Sequence, residues 1–521
     1  MRESSRMVRH ALLMMLGTCV SRVLGLIREV VTAAFFGTSA QLDAFNVAYT
    51  LANLTRQLVA EGALSAAFVP VFSKVLATDR KQAMSLARQA MSVLILTSSA
   101  VVVLGIIVAP FLTLLMAPGF DGETARLTTS LTRWMFPFLF LVSLAALAMG
   151  MLNSLGSFFV PSLAPAFSNL VFIVSAPFFA LRFGILGLAF SVLGGGSAHF
   201  LVQWLWSRRV GAFLIPERPD FSNPDLRQMM TLFLPYAAGL SLNQINPIMS
   251  RMLGSFLEEG SISVLNYANR IVQLPLGLFV IAVSQAVLPQ LSRAQDPEDF
   301  TSTLGEALRF ALFIVLPATV GLIAIAKPFV HLVFVRGAFG EQAWHMTSWA
   351  LTLSLLGLPG MTCSTIVTRG LYALSMSRVA FATTLFSVGS TVVLSFFLMF
   401  PMGYGGLALA PSVAFSFAGL LGLHCIRKKI KHSTSGSPEN AGFFPLISIV
   451  WLTKMVTALA LMGLALGFYG FLLPYAPFAG LGTRAGWCLG AIAVGSGVYG
   501  IASWILRFEE WRWISDALAR K

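Results

Sequence analysis

Long runs of apolar residues recur along the whole chain, separated by short polar or charged stretches. Many of these runs approach or exceed the roughly 20 residues that a helix needs to cross a bilayer. Splitting the chain at charged residues and at Gly and Pro clusters predicts about 14 spans. We expect them near 10–36, 41–72, 86–117, 127–152, 159–181, 184–206, 229–256, 262–291, 303–334, 343–371, 379–400, 404–426, 446–473 and 485–506. The pattern predicts an all-α polytopic membrane protein.

The composition supports this class, because 57% of the 521 residues are hydrophobic and only 11% are charged. Soluble domains carry about 25% charged residues, so no aqueous fold could hide this much apolar surface. The first apolar run is too long, and too charged inside, for a cleavable signal peptide, so we expect the first helix to remain in the mature protein. The four cysteines are scattered through apolar stretches, which favours buried thiols over disulfides or a metal site.

Lysine and arginine are concentrated in alternate connections, including the stretches that contain Arg80, Arg208 and Lys428. The opposite connections hold little beyond Arg126, Arg182, Arg336 and Arg484. The positive-inside rule therefore predicts that both termini are cytoplasmic. It also accounts for most of the formal net charge of +14, so we expect no nucleic-acid partner.

Polar residues inside the first span share one side of the predicted helix. At about 100° per residue, Arg22, Arg28 and Glu29 fall within an arc of roughly 120° that also holds Ser21 and Thr32. The other positions are apolar, mostly valine, leucine and isoleucine. We expect one side of this helix to face lipid and the other to face a polar environment.

Three more spans, the second, seventh and eighth, repeat this arrangement. The residues that we single out on their polar faces are Asp43, Asn53, Arg56 and Glu61 of the second span, Arg251 of the seventh, and Asn269, Arg270 and Gln273 of the eighth. An arginine at the centre of a bilayer costs about 2.5–3.5 kcal/mol on an insertion scale, so several of them need a compensating environment such as a water-filled cavity.

Two interpretations of these charges are open. Arg22 could pair with Glu29, and Arg56 with Asp43 or Glu61, in buried ion pairs that only fix helix packing. Alternatively the charges line a cavity, with Asp43 and Glu61 balancing neighbouring arginines. The arginines on these faces outnumber the carboxylates. This cationic surplus indicates an anionic ligand.

An internal repeat suggests how the spans are grouped. AAFVPVFSK at 66–74 returns as QAVLPQLSR at 285–293, and other segments recur at nearly the same spacing. We therefore predict a six-helix lobe at 1–206, a cytoplasmic linker at 207–228 and a second six-helix lobe at 229–427. Two additional helices and a cytoplasmic tail follow at 428–521. Parallel repeats of this kind occur in transporters that rock around a central site.

Motifs of several enzyme classes are missing from the sequence. There is no phosphate-binding P-loop, no HExxH, no GxSxG and no Cys/His cluster, so we expect neither a metal site nor a resident cofactor. Transport would then be driven by the membrane potential, by an ion gradient such as that of a monovalent cation, or by the substrate's own concentration difference.

Three segments together resemble the lipid II flippase family, MurJ, also called MviN. They are SRVLGLIREVVTAAFFG at 21–37, LDAFNVAYTLANLTRQLVAEGALSAAFVPVFSK at 42–74 and LNYANRIVQLPLGLFVIAVSQAVLPQLS at 265–292. The resemblance extends over essentially the whole chain. It implies alternating access in the superfamily of multidrug exporters and oligosaccharide-lipid flippases, and two terminal helices that shape a groove for the lipid tail.

The resemblance also implies a substrate, lipid II, which is carried from the cytoplasmic to the outer leaflet of the bacterial cytoplasmic membrane. It places Arg22, Arg28, Arg56 and Arg270 at the substrate in a central cavity that Asp43 also lines. The bilayer and cell-wall synthesis proteins are the other implied partners. Asn269 and Gln273 stand where family members often carry acids, which implies a more basic cavity here and puts a gating or coupling carboxylate at these positions in doubt.

Two alternative functions are weighed against lipid II transport. An exporter of a drug or of another lipid-linked oligosaccharide belongs to the same superfamily, but a drug exporter is expected to favour carboxylates for its cationic substrates. A membrane-embedded enzyme acting on polyprenyl phosphates would need a clustered acid, base or metal site, and the sequence shows none.

Overall fold

The computed structural model describes residues 2–57, 64–241, 244–294, 296–433 and 447–513. Within these ranges the chain consists of helices and their connections, with no strand. The first ten helices are α1 (Arg2–Phe36), α2 (Ala40–Thr55), α3 (Ser65–Thr78), α4 (Arg80–Met116), α5 (Gly122–Met135), α6 (Pro137–Ser154), α7 (Phe159–Phe183), α8 (Leu186–Arg209), α9 (Pro224–Ser241) and α10 (Ile245–Gly254). They are followed by α11 (Ser261–Pro275), α12 (Ile281–Arg293), α13 (Pro297–Ala324), α14 (Ala326–Phe334), α15 (Glu341–Leu355), α16 (Leu358–Ala373), α17 (Ser377–Met402), α18 (Tyr404–Ser433), α19 (Ile449–Leu472) and α20 (Leu481–Ile505).

The helical architecture confirms the predicted membrane class. Among the described residues, ten helical segments are long and apolar enough to cross a bilayer. The predicted spans outside these ten fall on α1 and on the pairs α2–α3, α9–α10 and α11–α12, each pair made of two shorter helices. These are the four spans with predicted polar faces. The count of 14 stays a prediction.

Proline explains one of these interruptions. Pro275 ends α11, and the next turn, Leu276–Val280, is π-helical before α12 begins. Because proline has no N–H and crowds the preceding turn, a regular α-helix cannot continue through it without distortion. The eighth predicted span is therefore two helices joined by a π-helical turn.

Packing divides the chain into two compact units. The first, unit 1, comprises Met1–Ser263 with Arg336–Phe339. One apolar cluster joins α3, α4, α6 and α9, and includes Phe68 and Phe72, whose rings stack with centroids 4.9 Å apart. Small residues permit close helix contact elsewhere, since a Cβ at Gly195 of α8 would press on the Ser168 backbone of α7.

The predicted linker packs against unit 1. The Arg208 guanidinium lies over the rings of both Trp204 and Phe213, at 4.4 and 4.1 Å from their centroids. Glu217 accepts a 2.7 Å hydrogen bond from the Ser85 hydroxyl of α4. Cation–π contacts and a side-chain hydrogen bond thus hold this connection on the ends of α4 and α8.

Unit 2 comprises Val264–Val335 with Gly340–Lys521. The last two helices belong to it and pack on α13, where Phe313 lies in one buried cluster with Met455 of α19 and Tyr499 of α20. The Tyr499 hydroxyl donates a 2.8 Å hydrogen bond to the Phe313 carbonyl. The predicted domain boundaries at 206, 228 and 427 stay predictions.

Candidate functional site

Arg28 of α1 is held by three neighbouring side chains. One guanidinium nitrogen donates to Glu29 Oε1 at 2.9 Å, and another donates to the Tyr49 hydroxyl at 3.2 Å. The guanidinium carbon also lies 5.2 Å from the Tyr49 ring centroid and 5.4 Å from that of Phe172. The charge is paired, stacked and 14% exposed, so its orientation is fixed while part of the side chain remains accessible.

Glu29 lies in the same environment as Arg28. Its side chain is 6% exposed, and it forms a charge-assisted hydrogen bond with the adjacent residue. A buried carboxylate of this kind depends on its cation, because an uncompensated charge is costly in a low-dielectric interior. Arg22 lies two turns earlier on α1 and is half-buried.

Arg56 and Arg251 belong to the same unit. Arg56 Nε donates to Asn53 Oδ1 at 2.8 Å, one turn back along the chain. Arg251 of α10 donates to the Thr50 hydroxyl and to the Ile262 carbonyl, both at 3.2 Å. Arg251 therefore connects the polar face of α2 to the first turn of α11.

Asp43 also reaches the start of α11. Its Oδ1 accepts hydrogen bonds from the Ser263 backbone N–H at 2.7 Å and from the Ser263 hydroxyl at 2.6 Å, while Oδ2 accepts one from the Gly260 N–H at 2.8 Å. Asn46 donates to the same hydroxyl at 3.0 Å. A carboxylate satisfies the unpaired N–H groups of a helix N-terminus and complements its dipole. These bonds make Asp43 an anchor for α11, while its predicted role as counter-charge stays a prediction.

Four connections of unit 1 meet near this anchor. Gly37, Gly260 and Gly337 adopt positive φ angles of 58°, 84° and 57°. A Cβ at these positions would collide with the carbonyl oxygens of Ala338, Thr38 and Ala34, respectively. The Ala338 N–H donates to the Ala34 carbonyl at 2.8 Å, and the Gly119 N–H donates to the Ser255 hydroxyl at 3.0 Å. Only glycine allows both this backbone conformation and so close an approach.

In unit 2, the polar face of α11 is accessible. Asn269 and Gln273 are exposed and Arg270 is half-exposed, whereas Tyr267, Ala268 and Ile271 on the other side are buried. This distribution follows the spacing of polar residues in the sequence. Glu61, the other residue predicted for the cavity, lies outside the described residues.

Some residues at the site were not singled out from the sequence. Phe172 of α7 stacks on Arg28, and an apolar aromatic residue in an apolar span gives no local signal for such a contact. Gly260 and Gly337 carried a weak signal, because each lies in a short polar connection between two apolar runs.

Taken together, a multi-helix membrane fold with polar, arginine-bearing helices defines a membrane transporter class. A solved structure described as the inward-facing conformation of a multidrug resistance MATE family transporter is 18% identical, with a TM-score of 0.68 over 83% of this chain and 100% of that one. A second structure, "Lipid II flippase MurJ, inward closed conformation", is 28% identical with a TM-score of 0.77, covering 95% of this chain and 98% of that one.

Sequence comparison identifies the family. The family model described as lipid II flippase MurJ matches residues 32–478. A probable lipid II flippase MurJ of Vibrio cholerae is 33% identical over 439 residues, 81% of this chain and 83% of the relative. The lipid II flippase MurJ of Burkholderia cenocepacia is also 33% identical, over 79% of this chain and 82% of its own. The chain belongs to the lipid II flippase MurJ family.

Proposed function

We propose that this protein is a flippase that carries lipid II from the cytoplasmic to the outer leaflet of the bacterial cytoplasmic membrane by alternating access. Family membership supports the substrate. The observation that carries the proposal within the chain is Arg28, a charged side chain of α1 held by Glu29, Tyr49 and Phe172.

Lipid II carries a diphosphate, and arginine suits this group because its planar fork of donors matches phosphate oxygens. Each charge-assisted hydrogen bond contributes roughly 1.5–3 kcal/mol. Because Glu29 already neutralises much of the Arg28 charge, we assign Arg28 a positioned donor role. Arg22, Arg56 and Arg270 would supply the remaining positive potential for the diphosphate.

Gating is assigned to the anchor at Asp43. An alternating-access transporter needs contacts that close one side of the membrane while the other side is open, and that break when the first side opens. The hydrogen bonds from Gly260 and Ser263 to Asp43, with the glycine turns around them, form a discrete contact of this kind. Arg251 and Asn53 would steady the same helices.

The orientation is proposed from two sets of observations. The connections around Gly37, Gly119, Gly260 and Gly337 follow the predicted first, third, seventh and ninth spans, and their contacts support a location on one common side. The distribution of lysine and arginine makes that side the outside. Both termini and the linker 207–228 are then cytoplasmic.

Cysteine labelling tests this orientation. Residues 123 and 218 are both exposed, so single cysteines at these positions can react with a membrane-impermeant maleimide in intact spheroplasts. We expect a cysteine at 123 to be labelled and one at 218 to be labelled only after permeabilisation. Labelling of position 218 alone in intact cells would reverse the topology.

Transport is tested with the purified protein in vesicles that contain fluorescent lipid II. Accessibility of the headgroup to a membrane-impermeant quencher reports its leaflet. We expect the wild-type protein to expose labelled lipid II that protein-free vesicles keep protected, and a fluorescent phosphatidylcholine to remain protected. Equal movement of both lipids would indicate a nonspecific scramblase. No movement of lipid II under an imposed membrane potential or cation gradient would contradict the proposal.

A further inference from the structure

A crevice of about 500 Å³ lies within unit 2, between α14, the outer half of α15 and the first residue of α18. Its lining includes Lys327, Gln342, His345, Trp349 and Tyr404. Its volume falls in the usual range for small-molecule sites, which is about 300–1,000 Å³. None of the residues assigned to lipid II transport lies in it.

The charge of the crevice is unusual for its position. Lys327 is exposed and lies in the outer part of the ninth predicted span, on the side where lysine and arginine are scarce. In the described part of the chain its ammonium makes no ion pair, and the lining contains no carboxylate. Glu341, which is not part of the lining, is 82% exposed and lies 3.8 Å from His345 Nε2. The crevice therefore presents positive charge without a matching negative group.

Side-chain contacts hold the backbone at Lys327 in place. The Trp344 indole donates a 2.8 Å hydrogen bond to the Lys327 carbonyl, and the Trp344 ring packs edge to face on His331 with centroids 4.7 Å apart. His331 is itself buried and contacts the Tyr475 hydroxyl through Nδ1 at 2.8 Å. The lysine thus projects from a well-packed position instead of from a loose loop.

The exposed side of α15 changes character along its length. Gln342 and His345 lie in its first turns, Trp349 follows at 49% exposure, and Leu356 ends the stripe at 53% exposure. Spacings of three, four and seven residues place these side chains on one side of the helix. Polar groups, then an interfacial aromatic ring, then an apolar chain form the gradient that a lipid presents from headgroup to tail.

Hydrogen-bonding capacity is available at the polar end. The hydroxyls of Ser348 and Thr352 donate within the helix, to the carbonyls of Trp344 and Ser348. Lys327 and the Gln342 amide are exposed donors in the same lining. An ammonium and an amide above an aromatic ring suit a phosphate ester attached to an apolar chain.

We propose that this crevice of unit 2 binds the phosphate of a lipid headgroup in the outer leaflet. Lys327 supplies the charge, Gln342 donates a hydrogen bond, and Trp349 packs on the glycerol or the first part of the chain. Two lipid sources share this chemistry, a resident anionic phospholipid and a polyprenyl diphosphate on its way out of the transporter. This proposal does not depend on lipid II being the transported substrate.

Native mass spectrometry of the purified full-length protein tests the site. The protein is titrated with phosphatidylglycerol, with undecaprenyl diphosphate, with phosphatidylcholine and with inorganic phosphate. We expect Lys327→Gln to weaken the tightest anionic-lipid binding step roughly threefold to tenfold, the range for one partly exposed charge-assisted contact. Lys327→Arg should restore it, and Trp349→Leu should weaken it without changing the preference for anionic lipids.

Arg182→Gln is the matched control, because Arg182 is an exposed cation at the predicted outer end of α7 in unit 1. A loss confined to Lys327→Gln supports the site, and stronger binding of either phosphatidylglycerol or undecaprenyl diphosphate identifies the source of the lipid. Equal losses in both glutamine variants would indicate general surface charge and overturn the proposal. It is also overturned if Lys327→Gln binds like the wild type, or if inorganic phosphate alone occupies the site as well as the lipids do.

Discussion

The Asp43 carboxylate accepts a 2.6 Å hydrogen bond from the hydroxyl of Ser263, 220 positions later in the sequence. Both groups are buried, and the second carboxylate oxygen accepts the Gly260 N–H. This relationship fixes the start of α11 against α2.

Replacing Asp43 by asparagine tests this anchor. Asparagine keeps the shape but has one acceptor oxygen, so at least one buried donor of α11 loses its partner. We expect the free energy of unfolding to fall by about 1–3 kcal/mol, and lipid II movement to fall further than membrane abundance does. Thermal unfolding in detergent, followed by tryptophan fluorescence, and the vesicle assay measure the two effects.

Asp121→Asn provides the comparison for this variant. Asp121 caps α5 by accepting the Thr124 N–H at 2.9 Å, and hydrogen bonding to Thr124 lowers the pKa of its exposed carboxyl. The chemistry of the substitution is the same, but water can replace the lost contact. If the two variants unfold at the same temperature and transport equally well, the buried anchor has no special role.

The glycine turns predict a second result. Gly337→Ala places a methyl group against the Ala34 carbonyl at a φ of 57°, so we expect a marked loss of thermal stability. Gly184→Ala is the comparison, because Gly184 also has a positive φ, 58°, but no atom lies within 4 Å of the added Cβ. A larger fall in unfolding temperature for Gly337→Ala would indicate that the close approach of the two backbones adds to the conformational cost. Equal destabilisation would mean that the turns can separate freely.

Arg28→Ala is expected to damage both folding and transport. It breaks the buried Arg28–Glu29 ion pair, and removing one partner of such a pair costs about 3–5 kcal/mol. The double variant Arg28→Ala with Glu29→Gln removes both charges, so we expect it to recover most of the lost stability. Transport should stay at least tenfold below that of the wild type, because the positioned donor is still missing.

This double variant separates binding from packing, since a purely structural ion pair predicts that stability and lipid II movement recover together. Arg28→Lys refines the comparison. Lysine keeps the charge next to Glu29 but cannot also present a planar fork to the Tyr49 hydroxyl. Partial transport by this variant would show that positive charge dominates, and loss equal to that of alanine would show that the geometry of the guanidinium governs recognition.

The linker contacts predict a change in protease sensitivity. Arg208→Ala removes the cation that lies over the Trp204 and Phe213 rings, so the exposed residues near 215–218 should be cut several times faster by a nonspecific protease. Arg209→Ala is the control, because Arg209 lies over Trp206 at 5.5 Å and makes no ring contact with the linker. Equal cleavage rates for the two variants would argue against a docked linker.

The sequence by itself determined the membrane class, the approximate positions of the helices and the faces on which their polar residues lie. These properties depend on local patterns: a run of apolar residues must leave water, and a 3.6-residue period decides which side chains share a side. The exposed and buried sides of α11, with Asn269 opposite Ala268 and Ile271, could be predicted for this reason. The side of α1 on which its charged residues lie could be predicted for the same reason.

Only the tertiary structure decided which groups these polar residues meet. Glu29 pairs with Arg28, the next residue, a contact that helical periodicity alone did not predict. Asp43 binds the N-terminus of α11, and Phe172 covers Arg28, because α2 and α7 happen to be the neighbours of those residues in the folded chain. The role proposed for Lys327 depends on a crevice that three separate helices form. Contacts of this kind depend on how distant segments pack, and a periodic pattern within one helix carries no information about its neighbours.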